Sequence, residues 1–249
     1  MNPAEHLAAV RDQSEALARA AEVAGLHVPI QSCGDWVMLD LVTHVGNVQR
    51  WAALTVETRP AARINRDAMN EAPSADEAVA WFRRASAGLV STLEAADVDA
   101  PVWTFVPHGT TAFWFRRQAQ EVSVHRWDAD HSAGNEVAID PTLAVDGIGE
   151  WLDLSVPLSG DRLTGDGETV HLHCTDASPG AAGDDAGEWL ITFTSDGPTV
   201  VSAHEKADAA ARGTASDLNL FLWGRREPSD LEVFGDVALV ERLRGAGAR

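Results

Sequence analysis

Four stretches within the first 135 residues repeat their apolar side chains at the three- and four-residue spacing of an α-helix. They read "AEHLAAVRDQSEALARAAEVAG", stopping at Gly25; "DWVMLDLVTHVGNVQRWAALTVET", ending before Pro60; "SADEAVAWFRRASAGLVSTLEAA"; and "TAFWFRRQAQEVSVHRWDADHSAG", stopping near Gly134. Start signals accompany two of them. Asp35 is placed to cap the second helix, and Ser74 with Glu77 makes a capping box for the third. Four helices of this length joined by loops predict a helix bundle.

Past "NEVAIDP" the pattern changes. A helix is expected around 142–155. "GETVHLHCTD" and "GEWLITFTSDGPTVV" read as strands, with Asp196–Gly197 turning the latter back on itself. "SDLNLFLWGRR", capped at Ser216 or Asp217, and "DVALVERLRG" read as helices. The fold class is therefore α+β. Residues 1–137 are read as an all-helical four-helix bundle, and residues 138–249 as a smaller α+β domain. The Gly/Ala/Asp run "DASPGAAGDDAGE", 176–188, reads as a mobile and inert loop.

Charge narrows the partners. With 38 acidic and 19 basic residues the net charge is −19, against nucleic acid and anionic membrane, which both select basic surface. No apolar run approaches the ~20 residues a membrane-spanning helix needs, and the start "MNPAEHLAAVRDQ" has no signal-peptide pattern. A soluble cytoplasmic protein, monomer or homodimer, is the expectation. Cys33 and Cys174 are far apart, are not expected to pair, and read as structural.

The residues with chemical potential gather on the second and fourth helices. In "QEVSVHRWDAD", residues 120–130, Glu121 and His125 stand four apart and so share a face. Arg117 and Asp128 extend that stripe, while Ala112, Ala119 and Val122 lie opposite, so the helix does not divide simply into wet and dry sides. On the second helix the stripe Val37, Leu41, His44, Val48, Trp51 puts His44 at a core-facing position, where its ring needs a partner. That partner is either an ordinary hydrogen-bonding group or a metal ion. Bundles build metal sites from side chains on facing helices, and His44, Glu121 and His125 would supply two imidazoles and a carboxylate. Such a set suits zinc in an open site, with a position left for water or substrate, and also suits other divalent ions such as iron(II). Asp128 is either an acceptor for the free ring N–H of a ligand histidine or a surface charge. Arg116 and Arg126 are expected at the surface. His108, in the "VPHGTT" loop, is a pocket or a plain loop residue. His171 and His173 share one face of a predicted strand and read as exposed strand residues, with a second metal site as the alternative.

Three motifs carry a family resemblance. "CGDWVMLDLVTHVG" resembles the C-P-G-W-(x)4-D-L-(x)2-H-(x)-G signature of the mycothiol-dependent maleylpyruvate isomerase family, within the DinB-like metal-binding bundles. "RRQAQEVSVHRWDAD" resembles its second signature, and "ARGTASDLNLFLWGRR" with "LEVFGDVALVERL" resembles its C-terminal, sterol-carrier-like domain. One departure is visible: "CGDW" stands where "CPGW" is usual, which alters the loop before the helix and leaves the ligand positions intact. The resemblance implies metal ligands at His44, Glu121 and His125, a divalent cation (zinc first), and mycothiol as thiol cosubstrate. An activated thiolate can add to a cis double bond, permit rotation and depart, or it can stay on a small electrophile as S-transfer. A dianionic substrate such as maleylpyruvate calls for cations near the centre, and Arg117 and Arg225 are the candidates. Arg225 is also placed to complement the dipole at a helix C-terminus. The competing readings are a non-catalytic protein that binds metal and a small ligand, and a hydrolase that uses metal-bound water.

Overall fold

Asn2 accepts the Glu5 backbone N–H at 3.0 Å while the Glu5 carboxylate accepts the Asn2 N–H, a reciprocal cap that starts helix α1, Pro3–Ala24. The computed structural model describes residues 1–177, 187–244 and 246. It divides into two compact units, Met1–Val137 and Ala138–Arg249.

In the first unit α1 is followed by α2 (Met38–Thr58), α3 (Ala75–Ala95) and α4 (Thr111–Ser132). Helix α1 packs on α4 and α3, and α2 packs on α3 and α4. Going round the bundle, α4 therefore lies between α1 and α2. Leu17, Ile30, Met38, Leu41, Phe82 and Val122 are fully buried in the core between them. Beside it Trp51, Trp103, Phe105, Phe113 and Trp114 pack ring against ring, mostly edge to face, with centroids 5.1–6.2 Å apart.

Two of the expected caps differ. Helix α2 starts two residues later than Asp35 would dictate: Val37 takes the cap position and the Asp40 carboxylate reaches back to its N–H at 2.9 Å. A bridge between Pro29 and Val37 closes the loop before it, which leaves Asp35 in the turn. Ser74 does cap α3 by position, but its hydroxyl donates to the Glu77 carboxylate rather than accepting a backbone N–H.

The second unit opens with α5 (Pro141–Leu158), whose first N–H groups are capped by the Asp140 carboxylate. Strands β1 (Thr169–Cys174), β2 (Glu188–Thr194), β3 (Gly197–Val201), β4 (Ala209–Gly213) and β5 (Glu232–Gly235) form one sheet in the order β3-β2-β1-β4-β5. Only the β1–β4 pairing is parallel. Val170, Leu172, Ile191, Phe193, Ala209 and Ala211 are buried along the inward face. Helices α6 (Ala215–Leu222) and α7 (Val237–Arg244) pack on β1 and β4.

The expected turn between β2 and β3 forms, one residue earlier than Asp196–Gly197: Ser195 and Asp196 make it and Gly197 opens β3 opposite Thr194. Helix α6 is capped by Thr214, whose hydroxyl accepts the Asp217 N–H at 3.1 Å, not by Ser216 or Asp217. It also stops at Leu222, so Arg225 lies beyond the helix. Strands β4 and β5 are absent from the sequence reading. "AAARG" is poor in β-formers and β5 has four residues. Most of the run read as a mobile, inert loop, 178–186, lies outside the described residues. Among the described residues, no helix is long and apolar enough to cross a membrane.

Two helical glycines give opposite expectations. A Cβ on Gly46 of α2 would lie 2.2 Å from Trp81 Cζ3 of α3, whereas one on Gly88 of α3 would meet nothing within 4 Å. Gly88→Ala should therefore stabilise by up to ~1 kcal/mol through helix propensity. Gly46→Val should destabilise by ~1–3 kcal/mol through overpacking. Urea unfolding should show the two midpoints moving in opposite directions at unchanged slope.

Candidate metal centre

Because α2 and α4 are neighbours, the stripe of His44 meets the stripe of Glu121 and His125. Glu121 Oε1 lies 3.3 Å from His44 Nε2 and 3.5 Å from His125 Nε2. The two imidazole centroids are 5.2 Å apart, edge to face. One donor atom from each of the three residues falls within 4.8 Å of the others, a spacing that one metal ion can span. No fourth His, Cys, Asp or Glu among the described residues joins this trio. The side chains of His44, Glu121 and His125 retain 24, 21 and 10 % of their exposure, so the cluster is reachable from outside.

Each of the two residues from α4 is held from behind. Asp128, fully buried, accepts the His125 Nδ1–H at 2.9 Å, which directs Nε2 toward Glu121. Asp128 is therefore not a surface charge. Its other oxygen, Oδ1, accepts the Ser32 hydroxyl at 2.6 Å, and the Cys33 thiol approaches Oδ2, the oxygen that His125 uses, at 3.6 Å. Arg117, only 6 % exposed, donates from a guanidinium nitrogen to Glu121 Oε2 at 3.3 Å, leaving Oε1 to face the rings. Trp36 leans on His44 with ring centroids 4.9 Å apart.

These contacts set the electrostatics. Burial pushes the Glu121 acid up. Hydrogen bonds from His125 and His44, with the charges of His125 and Arg117, outweigh it and hold the carboxyl well below its usual range. Burial likewise opposes charge on His125, but its bonds to Asp128, Cys33 and Glu121, with the Glu121 charge, raise it well above the ordinary imidazole range.

Cys33 is a site neighbour that the sequence reading set aside as structural. It shares a single 3-10 turn, Gln31–Cys33, with Ser32, and groups with His125 and Asp128. The one hint in the sequence is its place in the "CGDW" motif; nothing in helical periodicity reaches it. Arg126 is not a surface residue: it is buried, with Nε donating to Gln13 at 2.9 Å and NH1 to Asp130 at 2.9 Å and the Val137 carbonyl at 3.1 Å. Arg116 is half-buried. His108 is exposed in its loop with φ of 60°. Arg225 belongs to the second unit, three residues past the end of α6, where it donates to the Trp223 carbonyl at 2.8 Å.

Comparison with known proteins agrees along the chain. Residues 7–130 match the family described as mycothiol maleylpyruvate isomerase N-terminal domain, and residues 142–242 match the MDMPI C-terminal domain. Two uncharacterized proteins of Mycobacterium tuberculosis, MT0763 from strain CDC 1551 and Rv0738 from strain H37Rv, are each 33 % identical over 141 residues, covering 55 % of this chain and 68 % of the relative. A crystal structure of a mutant mycothiol-dependent maleylpyruvate isomerase superposes with TM-score 0.62 at 12 % identity, covering 94 % of this chain and 93 % of that one. A second crystal structure of that isomerase gives 0.58 at 13 % identity, covering 91 % and 90 %. At these identities the structures speak for a shared fold, and the two family matches span nearly the whole sequence: this chain belongs to the mycothiol maleylpyruvate isomerase family.

Proposed function

We propose that the protein is a metal-dependent enzyme that uses a low-molecular-weight thiol, mycothiol, to isomerise a small maleylpyruvate-type substrate from cis to trans. The observation that carries this reading is the convergence of His44, Glu121 and His125 with no fourth protein donor among the described residues. A structural zinc site is normally closed by four protein ligands, whereas a catalytic one keeps a position open. Zinc is the proposed ion. When bound, a divalent cation there would lower the pKa of a thiol at the open position and hold it in place.

The chain's own residues prepare that position. Asp128 keeps the proton on His125 Nδ1, so Nε2 presents its lone pair toward the centre. Arg117 holds Glu121 Oε2 and aims Oε1 at the same point. The positive charge of Arg117 also favours an incoming carboxylate. Arg225 is proposed as a second substrate cation on sequence grounds. The thiolate sulfur then bonds to one alkene carbon, and the electron pair moves into the conjugated carbonyl. Rotation follows about the former double bond, now single, the pair returns, and the C–S bond breaks to release the trans product and the thiolate. A cytoplasmic location fits this chemistry, because thiols stay reduced there.

Three outcomes test the reading. His44→Ala and Glu121→Ala should each lose bound metal by elemental analysis while keeping the helical circular-dichroism spectrum. Full metal content in both would overturn the ligand assignment. Asp128→Asn should keep the ligands yet weaken metal affinity by ~10–100-fold. With mycothiol and maleylpyruvate, the metal-loaded protein should form fumarylpyruvate. A stable adduct would move the assignment to S-transfer, and turnover without added thiol would move it to hydrolysis.

Proton competition gives a further expectation. The metal-free protein holds the His125 proton above the usual imidazole pKa of about 6.5, and a metal ligand must shed it. Apparent metal affinity should therefore rise with pH through and beyond that value. Calorimetric titrations in buffers of different ionisation enthalpy should show a proton released on binding, and a pH-independent affinity would contradict the raised pKa.

A further inference from the structure

The outward face of the second unit's sheet holds another cluster of donors. His171 and His173, two apart on β1, project from one face. Glu188, the first residue of β2, lies directly opposite His173 in the antiparallel register. Strand β3 returns along β2, and past its end Ser202 Oγ donates to the Glu188 carbonyl at 3.2 Å, which brings His204 to the same place. Three ring nitrogens then surround one oxygen. Glu188 Oε2 is 2.9 Å from His171 Nε2, 3.2 Å from His173 Nδ1 and 2.5 Å from His204 Nδ1. The ring centroids are 5.6–6.0 Å apart. One donor atom from each of the four residues lies within 4.8 Å of the rest.

Hydrogen bonding explains only part of this arrangement. His204 Nδ1 makes a hydrogen bond with the carboxylate. His171 Nε2 does not: it is buried and makes no hydrogen bond with proper geometry, although it sits 2.9 Å from the oxygen. A buried polar atom in that state calls for an explanation, and a cation shared by the ring nitrogen and the carboxylate supplies one.

We propose that His171, His173, Glu188 and His204 form a second metal site, closed by four protein ligands and suited to zinc or a similar first-row divalent ion. Three imidazoles select against calcium and magnesium, which take oxygen ligands. The absence of thiolate selects against copper(I). Four protein ligands leave no position for substrate, so this ion would be structural. It would tie the segment carrying His204, beyond β3, to β1 and β2. The proposal is independent of the thiol chemistry assigned to the first unit.

Metal counting separates the two sites. Chelator-stripped protein is loaded with zinc chloride, desalted and analysed for zinc. The native chain should retain two equivalents, and His44→Ala/His125→Ala should retain one. Adding His173→Ala/His204→Ala to that variant should abolish the remainder. If the double variant of the first unit binds none, or the added substitutions leave its zinc in place, the second site does not exist. A native chain with one zinc that vanishes only with His173→Ala/His204→Ala would support this site and count against the first. His204 is 68 % exposed, so His204→Ala should leave the fold intact. In the first-unit variant it should weaken zinc by more than ~100-fold against a chromophoric chelator, beyond the ~10–100-fold that loss of an outer hydrogen bond costs. Unchanged affinity there would also overturn the proposal.

Discussion

The buried carboxylate of Asp128 is the constraint on which the first unit's chemistry depends. A charged oxygen pair out of water is costly unless it is met by donors. Here the donors come from two places in the chain: His125 on α4, and Ser32 with Cys33 in the turn before α2. Satisfying Asp128 therefore pins that turn against α4 and fixes the orientation of His125 in the same act. The Pro29–Val37 bridge closes the loop that carries this turn, just ahead of α2. His44 follows two turns into that helix. The spacing of His44 from Glu121 is thus not free to drift: it is inherited from a carboxylate three residues beyond His125.

Helix α4 carries much of the polar burial in the first unit, including Arg117, Gln118, Gln120, His125, Arg126 and Asp128. It packs against α1 on one side and α2 on the other, so the two-face logic of a surface helix fails for it. Each side has its own polar solution. Toward α1, Arg126 bonds Gln13 and is braced by Asp130 of its own helix. Toward α2, Arg117 and Asp128 brace Glu121 and His125. The sequence showed the mixed character of this helix, yet periodicity alone could not tell that Arg126 is buried. An arginine four residues before an aspartate reads equally well as an exposed ion pair.

What the sequence made legible follows the range of the physics involved. Helix period and i, i+4 spacing are local, and they were enough to set Glu121 beside His125 and to turn His44 inward. The turn between β2 and β3 is local too. Caps were less legible, because Asp35 and Ser216 are as capable chemically as the segments that won. Asp40 reaching back to Val37, and Thr214 accepting from Asp217, depend on where the preceding chain is anchored. Strand β4 is hidden because its alanines are chosen for close packing beneath helices α6 and α7, not for β-propensity. Strand β5 ends at Gly235, where φ is 76° and a Cβ would lie 2.0 Å from the Asp208 carbonyl oxygen, a restriction visible only in three dimensions. Cys33 beside Asp128, and Glu188 among three histidines, are products of tertiary register. The His171/His173 alternation was readable, but the two partners that give it meaning lie 15 and 31 residues beyond His173.

The two donor clusters differ in how they achieve order. The trio on α2 and α4 offers only three donors, but two of them are fixed by outer partners, His125 by Asp128 and Glu121 by Arg117. Rigid helices and these bonds hold the geometry, so a coordination position can stay open without loosening the rest. The quartet on the sheet lacks that backing at His204, which comes from an exposed segment beyond β3. In the proposed second site, closure by a fourth ligand would do what outer hydrogen bonds do in the bundle, fixing the last donor by binding it. A site that must admit a thiol is best built where the scaffold supplies the order, and a site that need only fasten chain can recruit its order from the metal itself.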